Sequence, residues 1–164
     1  MEYPLLKNQL PSSIKKVWKK TSIITFVIAS IIGLVSLGVF FYFENLTRFW
    51  QWLIGIYFAI VLIIFLLNFF LIAYRYNYFR YEMTEKEIIF QKGFIFRSIT
   101  SVPFSRIQHI ETEQGPLLRQ EQLMELIIHT AATNHQIAGL SMKEAQQLRQ
   151  SLLVKVEEVT EDDN

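Results

Sequence analysis

Two long stretches without a charged side chain constrain the fold of this chain more than any other feature. Residues 22–43 and 49–74 contain no Asp, Glu, Lys, Arg or His. As α-helices they would reach roughly 33 Å and 39 Å, whereas the hydrocarbon core of a bilayer is about 30 Å thick. Buried helices of soluble proteins rarely stay uncharged over such lengths. The two stretches therefore predict transmembrane helices rather than a buried helical hairpin.

The charges that flank these stretches predict their orientation. The linker, residues 44–48, is short enough to require an antiparallel hairpin, so both termini lie on one side of the membrane. Five lysines precede the first span in a basic N-terminal segment, residues 1–21, and Arg75 and Arg80 follow the second span, whereas the linker contains only Arg48. The positive-inside rule then predicts a two-span protein of the cell (cytoplasmic) membrane, with both termini cytoplasmic and an extracytoplasmic loop.

Small and polar side chains within the spans predict how the two helices pack. Small residues let the backbones of membrane helices approach closely, and polar side chains form hydrogen bonds between helices. A transport pathway is the alternative interpretation of a polar residue inside the membrane. Because the spans lack Asp, Glu, Lys, Arg and His, we predict a structural role instead. The predicted helix-packing residues are Ala29, Gly33, Ser36, Gly55, Ala59 and Asn68. The small residues of the first span are expected to face those of the second.

After the second span, the hydrophobic period changes to that of short strands. Segments rich in aromatic and β-branched residues, separated by turns such as Gln114-Gly115-Pro116, predict about seven strands. Leu117-Leu118 is interpreted as one of the shorter strands, and Thr133-Asn134-His135 as a hairpin turn.

The C-terminal part of the chain has a helical period. Ser141 and Glu144 have the spacing of a capping box, and apolar residues then recur at helical intervals to Val156. We therefore predict that residues 75–156 form a small cytoplasmic α+β domain, an antiparallel β-barrel or sandwich capped by a C-terminal helix. Residues 157–164 are acidic without apolar periodicity and predict a disordered tail.

Two motifs in this domain resemble those of a known family. Val102-Pro103-Phe104-Ser105-Arg106-Ile107-Gln108 is followed by Gln114-Gly115-Pro116-Leu117-Leu118-Arg119. Together with the two preceding spans, these motifs resemble the bacterial pleckstrin-homology-like membrane proteins, specifically the YdbS-like family. The resemblance implies a pleckstrin-homology-like barrel with a C-terminal helix and no established enzymatic activity. It also implies a larger membrane protein with several similar domains as partner.

The sequence departs from the pattern of that family at two turns. The family often has a glycine in the turn after the Leu-x-Arg segment, where this chain has Gln120-Glu121-Gln122. It also often has Thr-Ala-Gly where this chain has Thr130-Ala131-Ala132. These differences concern local turn geometry and leave the expected fold unchanged.

No residue pattern indicates catalysis or a cofactor. The chain has no cysteine, which excludes disulfides, thiolate chemistry and cysteine-based zinc sites. A metal site formed by His109, His129 and His135 is the sharper hypothesis, but they lack helical spacing and an accompanying carboxylate pattern. We therefore predict solvent-facing or hydrogen-bonded histidines, no metal, no cofactor and no enzymatic activity.

Basic side chains of the domain are candidates for contact with an anion or a protein partner, and together they could form one pocket for a phosphate or a lipid head group at the rim of the barrel. The alternative is that the arginines among them pair with Glu111, Glu113 or Glu121, because a guanidinium beside carboxylates is more often paired than free. The candidates are Lys92, Arg97, Arg106 and Arg119.

These observations favour a membrane-anchored binding or assembly module that scaffolds a partner membrane protein. A subunit of an oligomeric transport or export complex and a sensor of lipid head groups are the alternatives. The expected partners are membrane lipids and either a larger membrane protein with several similar domains or further copies of this chain. Nucleic acid is not expected as a partner. The net charge of +1 says little on this point, because the placement of charges matters more than their sum.

Overall fold

The computed structural model divides the chain into two compact units. We call Trp18–Ile72 the hairpin unit, and Met1–Val17 together with Ala73–Asn164 the domain unit. The structure describes residues 5–42, 47–93 and 96–162. Outside the described residues lie the start of the basic N-terminal segment, most of the predicted loop, Phe94 and Ile95 of a predicted strand, and the last two residues of the predicted tail.

Two long helices, α1 (Ile14–Tyr42) and α2 (Arg48–Tyr78), run through the hairpin unit. They are antiparallel, because ring contacts join Phe26 to Phe65 at 4.6 Å and Phe40 to Trp50 at 4.5 Å. In the most apolar 18-residue segment of each helix, only 6% of the residues are buried. A core helix of a soluble protein would bury these side chains, whereas a helix in lipid exposes them.

Both helices extend beyond the uncharged stretches. Helix α1 begins eight residues before Ser22, and α2 continues four residues beyond Tyr74. The added turns contain Lys15, Lys16, Lys19 and Lys20, and lysine has a high helix propensity. Length and hydrophobicity therefore locate the apolar core of each helix but not its ends.

In the described part of the chain, seven strands form two antiparallel sheets in the domain unit. One sheet has the order β1-β2-β3-β4 and the other β5-β6-β7, an open, sandwich-like arrangement rather than a closed barrel. The strands are β1 Asn8–Gln9, β2 Arg80–Met83, β3 Glu87–Lys92, β4 Ser98–Pro103, β5 Ile107–Glu113, β6 Leu123–Thr130 and β7 Asn134–Ser141. A single 3₁₀ turn, Phe104–Arg106, connects the sheets.

The core of the domain unit contains apolar side chains from both sheets and from the last helix, α4 (Met142–Asp162). The predicted capping box is confirmed: Ser141 N–H donates to Glu144 Oε2 at 2.8 Å, and Glu144 N–H donates to Ser141 Oγ at 3.3 Å. The fully buried apolar side chains are Ile14, Ile88, Phe90, Phe104, Leu126, Ile128, Ile137, Ala145 and Leu152.

Helix α4 is longer than its apolar periodicity indicates. It continues past Val156 to Asp162, into the stretch for which a disordered tail is predicted. Lys155 Nζ and Glu158 Oε2 form an ion pair at 2.6 Å, three residues apart on the helix. Pairs at this spacing support an exposed helix that has no apolar stripe of its own.

The N-terminal segment belongs to the domain. Strand β1 pairs with β2, with Asn8 opposite Tyr81 and Gln9 opposite Arg80. Leu6 N–H donates to Gln91 Oε1 at 3.0 Å, and Ile14 is fully buried. The two long helices are thus inserted in sequence between the first and second strands of one domain. The sequence pattern does not indicate this strand, because the segment is short and dominated by its lysines.

The predicted strand at Leu117-Leu118 is wrong. These residues lie in a short helix, α3 (Pro116–Gln120), with Gly115 at the N-cap and Pro116 at the first helical position. Proline is favoured there because its fixed φ suits a helix start and its missing N–H would have no partner in the first turn. His135, predicted to lie in a turn, lies in β7.

Candidate interaction surfaces

Gly33 is the point of close approach between α1 and α2. A Cβ atom at this position would lie 2.7 Å from the Tyr57 ring and 2.8 Å from the Phe58 ring. The Tyr57 hydroxyl also donates a hydrogen bond of 2.8 Å to the carbonyl oxygen of Ala29. The contact therefore combines a small residue on one helix with aromatic residues on the other.

The structure does not bring the predicted small residues of α2 to this contact. A Cβ atom on Gly55 would meet no atom within 4 Å, and Gly55 and Ala59 are both exposed. Ser36 donates a hydrogen bond of 2.8 Å to the Gly33 carbonyl within its own helix. Of the predicted residues, Ala29 and Gly33 thus contact the facing helix through Tyr57, an aromatic residue that a search for small residues overlooks.

Replacing Gly33 with leucine is expected to weaken the helix pair by about 1–3 kcal/mol, because the added side chain overlaps two rings. Gly38→Leu is the matched control, since a Cβ there meets no atom within 4 Å. All three tryptophans, Trp18, Trp50 and Trp52, lie in the hairpin unit, so thermal unfolding in detergent can be followed by tryptophan fluorescence. Equal midpoints for the two variants would contradict the prediction.

Polar side chains line a groove of about 310 Å³ between α1 and α2. Thr21, Ser22, Thr25 and Asn68 line it together with apolar residues. The Asn68 amide donates a hydrogen bond of 2.9 Å to the carbonyl oxygen of Ile64, which lies one turn earlier in the same helix. Asn68 and Thr25 both line the groove, and in the part of the chain that the structure describes no hydrogen bond joins them.

The four basic candidates do not form one cluster. Lys92 ends β3 opposite Ser98, the first residue of β4, and Arg97 directly precedes that strand. Arg106 follows the other end of β4, and six residues of strand span about 20 Å. Arg119 lies in α3, at the far end of β5 from Arg106. In residues 5–42, 47–93 and 96–162, neither Arg106 nor Arg119 has an ion pair, so the predicted pairing with glutamates is not seen.

Lys92 lines a small pocket in the domain unit. The pocket has a volume of about 170 Å³ and is lined by Tyr74, Arg75, Phe79, Lys92 and Gly93. The Lys92 ammonium lies 5.3 Å from the centre of the Phe79 ring. Gly93 has a φ of +76°, a conformation that other residues rarely adopt. The pocket thus combines two cations with aromatic walls.

His135 lies near both Lys92 and the core residue Phe90. Its ring stacks on Phe90 at 5.0 Å with an interplanar angle of 10°. Burial, and then the charge of Lys92, lower the pKa of His135 below its ordinary value of 6.5. Below that pH, the unfolded chain binds more protons than the folded chain, so protonation favours unfolding.

The free energy of unfolding of the domain is therefore expected to fall as the pH drops from 6.5 through the lowered pKa of His135. His135→Gln should flatten this part of the profile, and Lys92→Gln should shift it to higher pH. Pulse proteolysis in urea at several values between about pH 5 and pH 8 measures the profile. An unchanged profile in His135→Gln would show that another group is responsible.

Strand β4 is an edge strand with an uncharged sequence, Ser98-Ile99-Thr100-Ser101-Val102-Pro103. It pairs with β3 on one side and has no strand neighbour on the other within the described residues. Next to it, Phe96 is 91% exposed, and Ile99 within it is 44% exposed. Natural edge strands usually carry charges, prolines or bulges that discourage pairing with other chains. Here the one proline is the last residue of the strand.

Comparison with known proteins identifies the family. The family described as "Bacterial PH domain" matches residues 21–156. This chain belongs to the bacterial PH domain family. It is also 36% identical over 159 residues to the UPF0699 transmembrane protein YdbS of Bacillus subtilis (strain 168), which covers 96% of each chain. No solved structure matches the chain.

Membership of the bacterial PH domain family confirms the resemblance noted in the sequence. The transmembrane relative and the two exposed apolar helices also confirm the predicted transmembrane character. The fold matches the predicted class, with two antiparallel sheets and a C-terminal helix, and its open sheets favour the sandwich over the barrel.

The turn that departs from the family pattern has unusual geometry. Gln122 has a φ of +56°, and no other described residue besides glycine has a positive φ. The resemblance noted in the sequence leads us to expect glycine in this turn, and glycine adopts the left-handed conformation without steric cost. The second departure, at Ala132, has no positive φ.

Replacing Gln122 with glycine is expected to stabilise the domain by about 1 kcal/mol, because a left-handed conformation costs other residues about that much. Gln120→Gly is the control, since a glycine in helix α3 should instead destabilise by up to about 1 kcal/mol. Urea midpoints from pulse proteolysis compare the two variants. A loss of stability in Gln122→Gly would contradict the explanation.

Proposed function

We propose that the protein is a non-catalytic, membrane-anchored assembly module that binds a partner membrane protein at the cytoplasmic membrane. In this proposal the domain is cytoplasmic, and the partner adds a β-strand to the free edge of β4. The observation that carries it is the uncharged, exposed edge of β4, beside the exposed ring of Phe96. Strand addition of this kind obtains affinity from main-chain hydrogen bonds and specificity from side chains on alternate positions.

The other long strand edges of the domain support the choice of β4. Strand β7 has a bulge at Gly139, whose Cα lies close to the Ile14 side chain, and bulges disfavour pairing. Strand β5 carries Glu111 and Glu113, and charges discourage strand addition. Within the described residues, strand β4 has neither a bulge nor a charged side chain. A partner strand that covers its free edge would therefore prevent aggregation through that edge.

Two apolar side chains beside the edge are suited to anchor a partner. Phe96 precedes β4 and is almost fully exposed, and Ile99 alternates with the inward-facing, buried Val102. A large exposed aromatic residue of this kind often contributes much of the binding energy of an interface. We therefore assign Phe96 and Ile99 as the anchors of the proposed interface.

Site-specific crosslinking in membranes tests the interface. A photoreactive amino acid at Ile99 is expected to give one discrete crosslinked species, and the same group at Gln146, exposed on α4, is expected to give none. Adding Ile99→Lys to a chain labelled at Phe96 should remove the species, whereas Gln146→Lys should not. Crosslinks that are equal at both sites, or that survive Ile99→Lys, would refute the proposal.

The proposed cytoplasmic location of the domain can be tested separately. The absence of cysteine allows single cysteines to be introduced without background labelling. A cysteine at Gln146 should react with a membrane-impermeant maleimide only after the cells are opened, whereas one at Arg48 should react in intact cells. The reverse pattern would place the domain outside and exclude a cytoplasmic partner.

The pocket around Lys92 favours a second candidate function, binding of an anionic lipid head group. It combines two cations with aromatic walls, and Tyr74 and Arg75 lie within three residues of the end of the hairpin unit in sequence. Each basic residue near an anionic surface contributes about 1 kcal/mol.

Lipid retention tests the second candidate. Lys92→Gln should lower the phosphatidylglycerol retained by the purified full-length protein about fivefold, the equivalent of about 1 kcal/mol. Lys143→Gln is the control, because Lys143 is an exposed residue of α4 that does not line the pocket. Retention that is unchanged in Lys92→Gln, or equal for phosphatidylcholine, would reject a specific anionic site.

A further inference from the structure

Two histidines and one glutamate lie together on the outer face of the second sheet. His109 on β5 is the cross-strand partner of His129 on β6. Their rings stack with centroids 4.0 Å apart and an interplanar angle of 11°. His129 Nε2 lies 2.6 Å from Glu111 Oε1. One ligand atom from each of the three residues lies within 4.8 Å of the others.

The strand register explains this meeting. His109 and Glu111 are two residues apart and therefore share a face, while Ile110 between them is buried in the core. Glu111 is opposite Ile127, so it is the diagonal neighbour of His129. This register does not follow from the sequence pattern, which does not show which residues of β5 and β6 lie opposite each other.

A β-bulge sets that register. Ile107 is opposite Thr130, and His109, two residues on, is opposite His129, so Gln108 is an extra residue in β5. Without the bulge, Gln108 would occupy the position opposite His129. Bulges redirect side chains and are frequent next to functional sites.

We propose that His109, Glu111 and His129 bind a divalent first-row transition ion, with Zn²⁺ as the ion to be tested. Two imidazoles and one carboxylate are ligands that such ions prefer over Mg²⁺ or Ca²⁺. In a tetrahedral zinc site with bonds of roughly 2.0–2.2 Å, ligand atoms lie about 3.3 Å apart. From separations of 4.8 Å or less, side-chain rotation would bring the three ligand atoms to this geometry, and a water molecule would take the fourth position.

The exposure of the three residues fits an ion that enters from solvent. The side chain of His129 is 18% exposed and that of Glu111 is 43% exposed, and His109 is an exposed residue. The bound ion would join two adjacent strands, one of which, β5, is a sheet edge. It would therefore stabilise the second sheet by binding the folded state alone.

Isothermal titration calorimetry of Zn²⁺ binding tests the site. The full-length protein is used in detergent without a purification tag, after bound metal has been removed with EDTA and the EDTA itself removed. We expect one Zn²⁺ per chain with a micromolar or tighter dissociation constant, and a higher unfolding midpoint with the ion. His129→Ala and His109→Ala should each weaken binding by at least about 100-fold, and Glu111→Gln by about tenfold or more. Absence of binding by the folded, unsubstituted protein would overturn the proposal.

Control variants distinguish loss of the zinc site from loss of folding. His135→Ala removes a histidine outside the cluster and should leave zinc binding unchanged. If His129→Ala does not fold, the exposed His109→Ala carries the test, and urea midpoints without metal identify folded variants. Co²⁺ should give the intense visible absorption of tetrahedral coordination and lose it in His109→Ala. Zinc affinity that is retained in both histidine variants, or lost in His135→Ala alone, would refute the assignment.

Discussion

Replacing Gly139 with alanine is expected to destabilise the domain by about 2–4 kcal/mol, because two independent costs add. Gly139 has a φ of +85°, which disfavours every residue with a Cβ. A Cβ atom there would also lie 2.6 Å from the Cβ of the Ile14 side chain. Neither cost can be relieved locally, since Gly139 is the extra residue of a bulge and Ile14 is fully buried.

Gly115→Ala is the matched control for this substitution. Gly115 has a φ of −67°, and a Cβ there would meet no atom within 4 Å. Its effect should stay within about 0.5 kcal/mol. Because the domain unit contains no tryptophan, its unfolding is best followed by pulse proteolysis in urea or by hydrogen exchange of β6 amides. Similar losses in the two variants would mean that Gly139 has no special role.

Replacing Ile14 with alanine is expected to cost the domain about 2–5 kcal/mol, as for other large-to-small changes at buried sites. Ile14 is 1% exposed and contacts the chain at Gly139, more than a hundred residues away in sequence. A substitution in the N-terminal segment should thus lower the protection of β6 amides against hydrogen exchange, although β6 lies far along the chain.

Leu5→Ala provides the comparison for Ile14→Ala. Leu5 lies in the same segment and is 46% exposed, so its truncation should change the unfolding free energy by at most about 0.5 kcal/mol. If both variants unfold like the unsubstituted protein, the N-terminal segment does not contribute to the domain core. A loss confined to Ile14→Ala supports its role as part of that core.

The features that sequence predicted well depend on nearby residues. The two apolar helices follow from uncharged runs that are long enough to span a bilayer. The capping box at Ser141 and Glu144 follows from a spacing of three residues. The start of α3 could also have been predicted from nearby residues, because Pro116 after Gly115 is a helix-start signal. Leu117 and Leu118 were instead interpreted as a strand.

The candidate sites were harder to predict because they depend on partners far apart in sequence. Gly33 was identified as a packing residue, but its partner is Tyr57 rather than Gly55. The four basic residues suggested one cluster, yet the strands between them hold them apart. Residue type restricts what a side chain can bind, but distance decides which side chains act together.

The sequence by itself determined the two membrane helices, the sheet-plus-helix domain and its family, since hydrophobic period and local motifs need no long-range information. Only the tertiary structure placed residues 8–9 beside β2, Ile14 against Gly139, and His109 opposite His129. The physical reason is register. Strand pairing joins segments separated by many residues, and a single-residue bulge changes which side chains face each other.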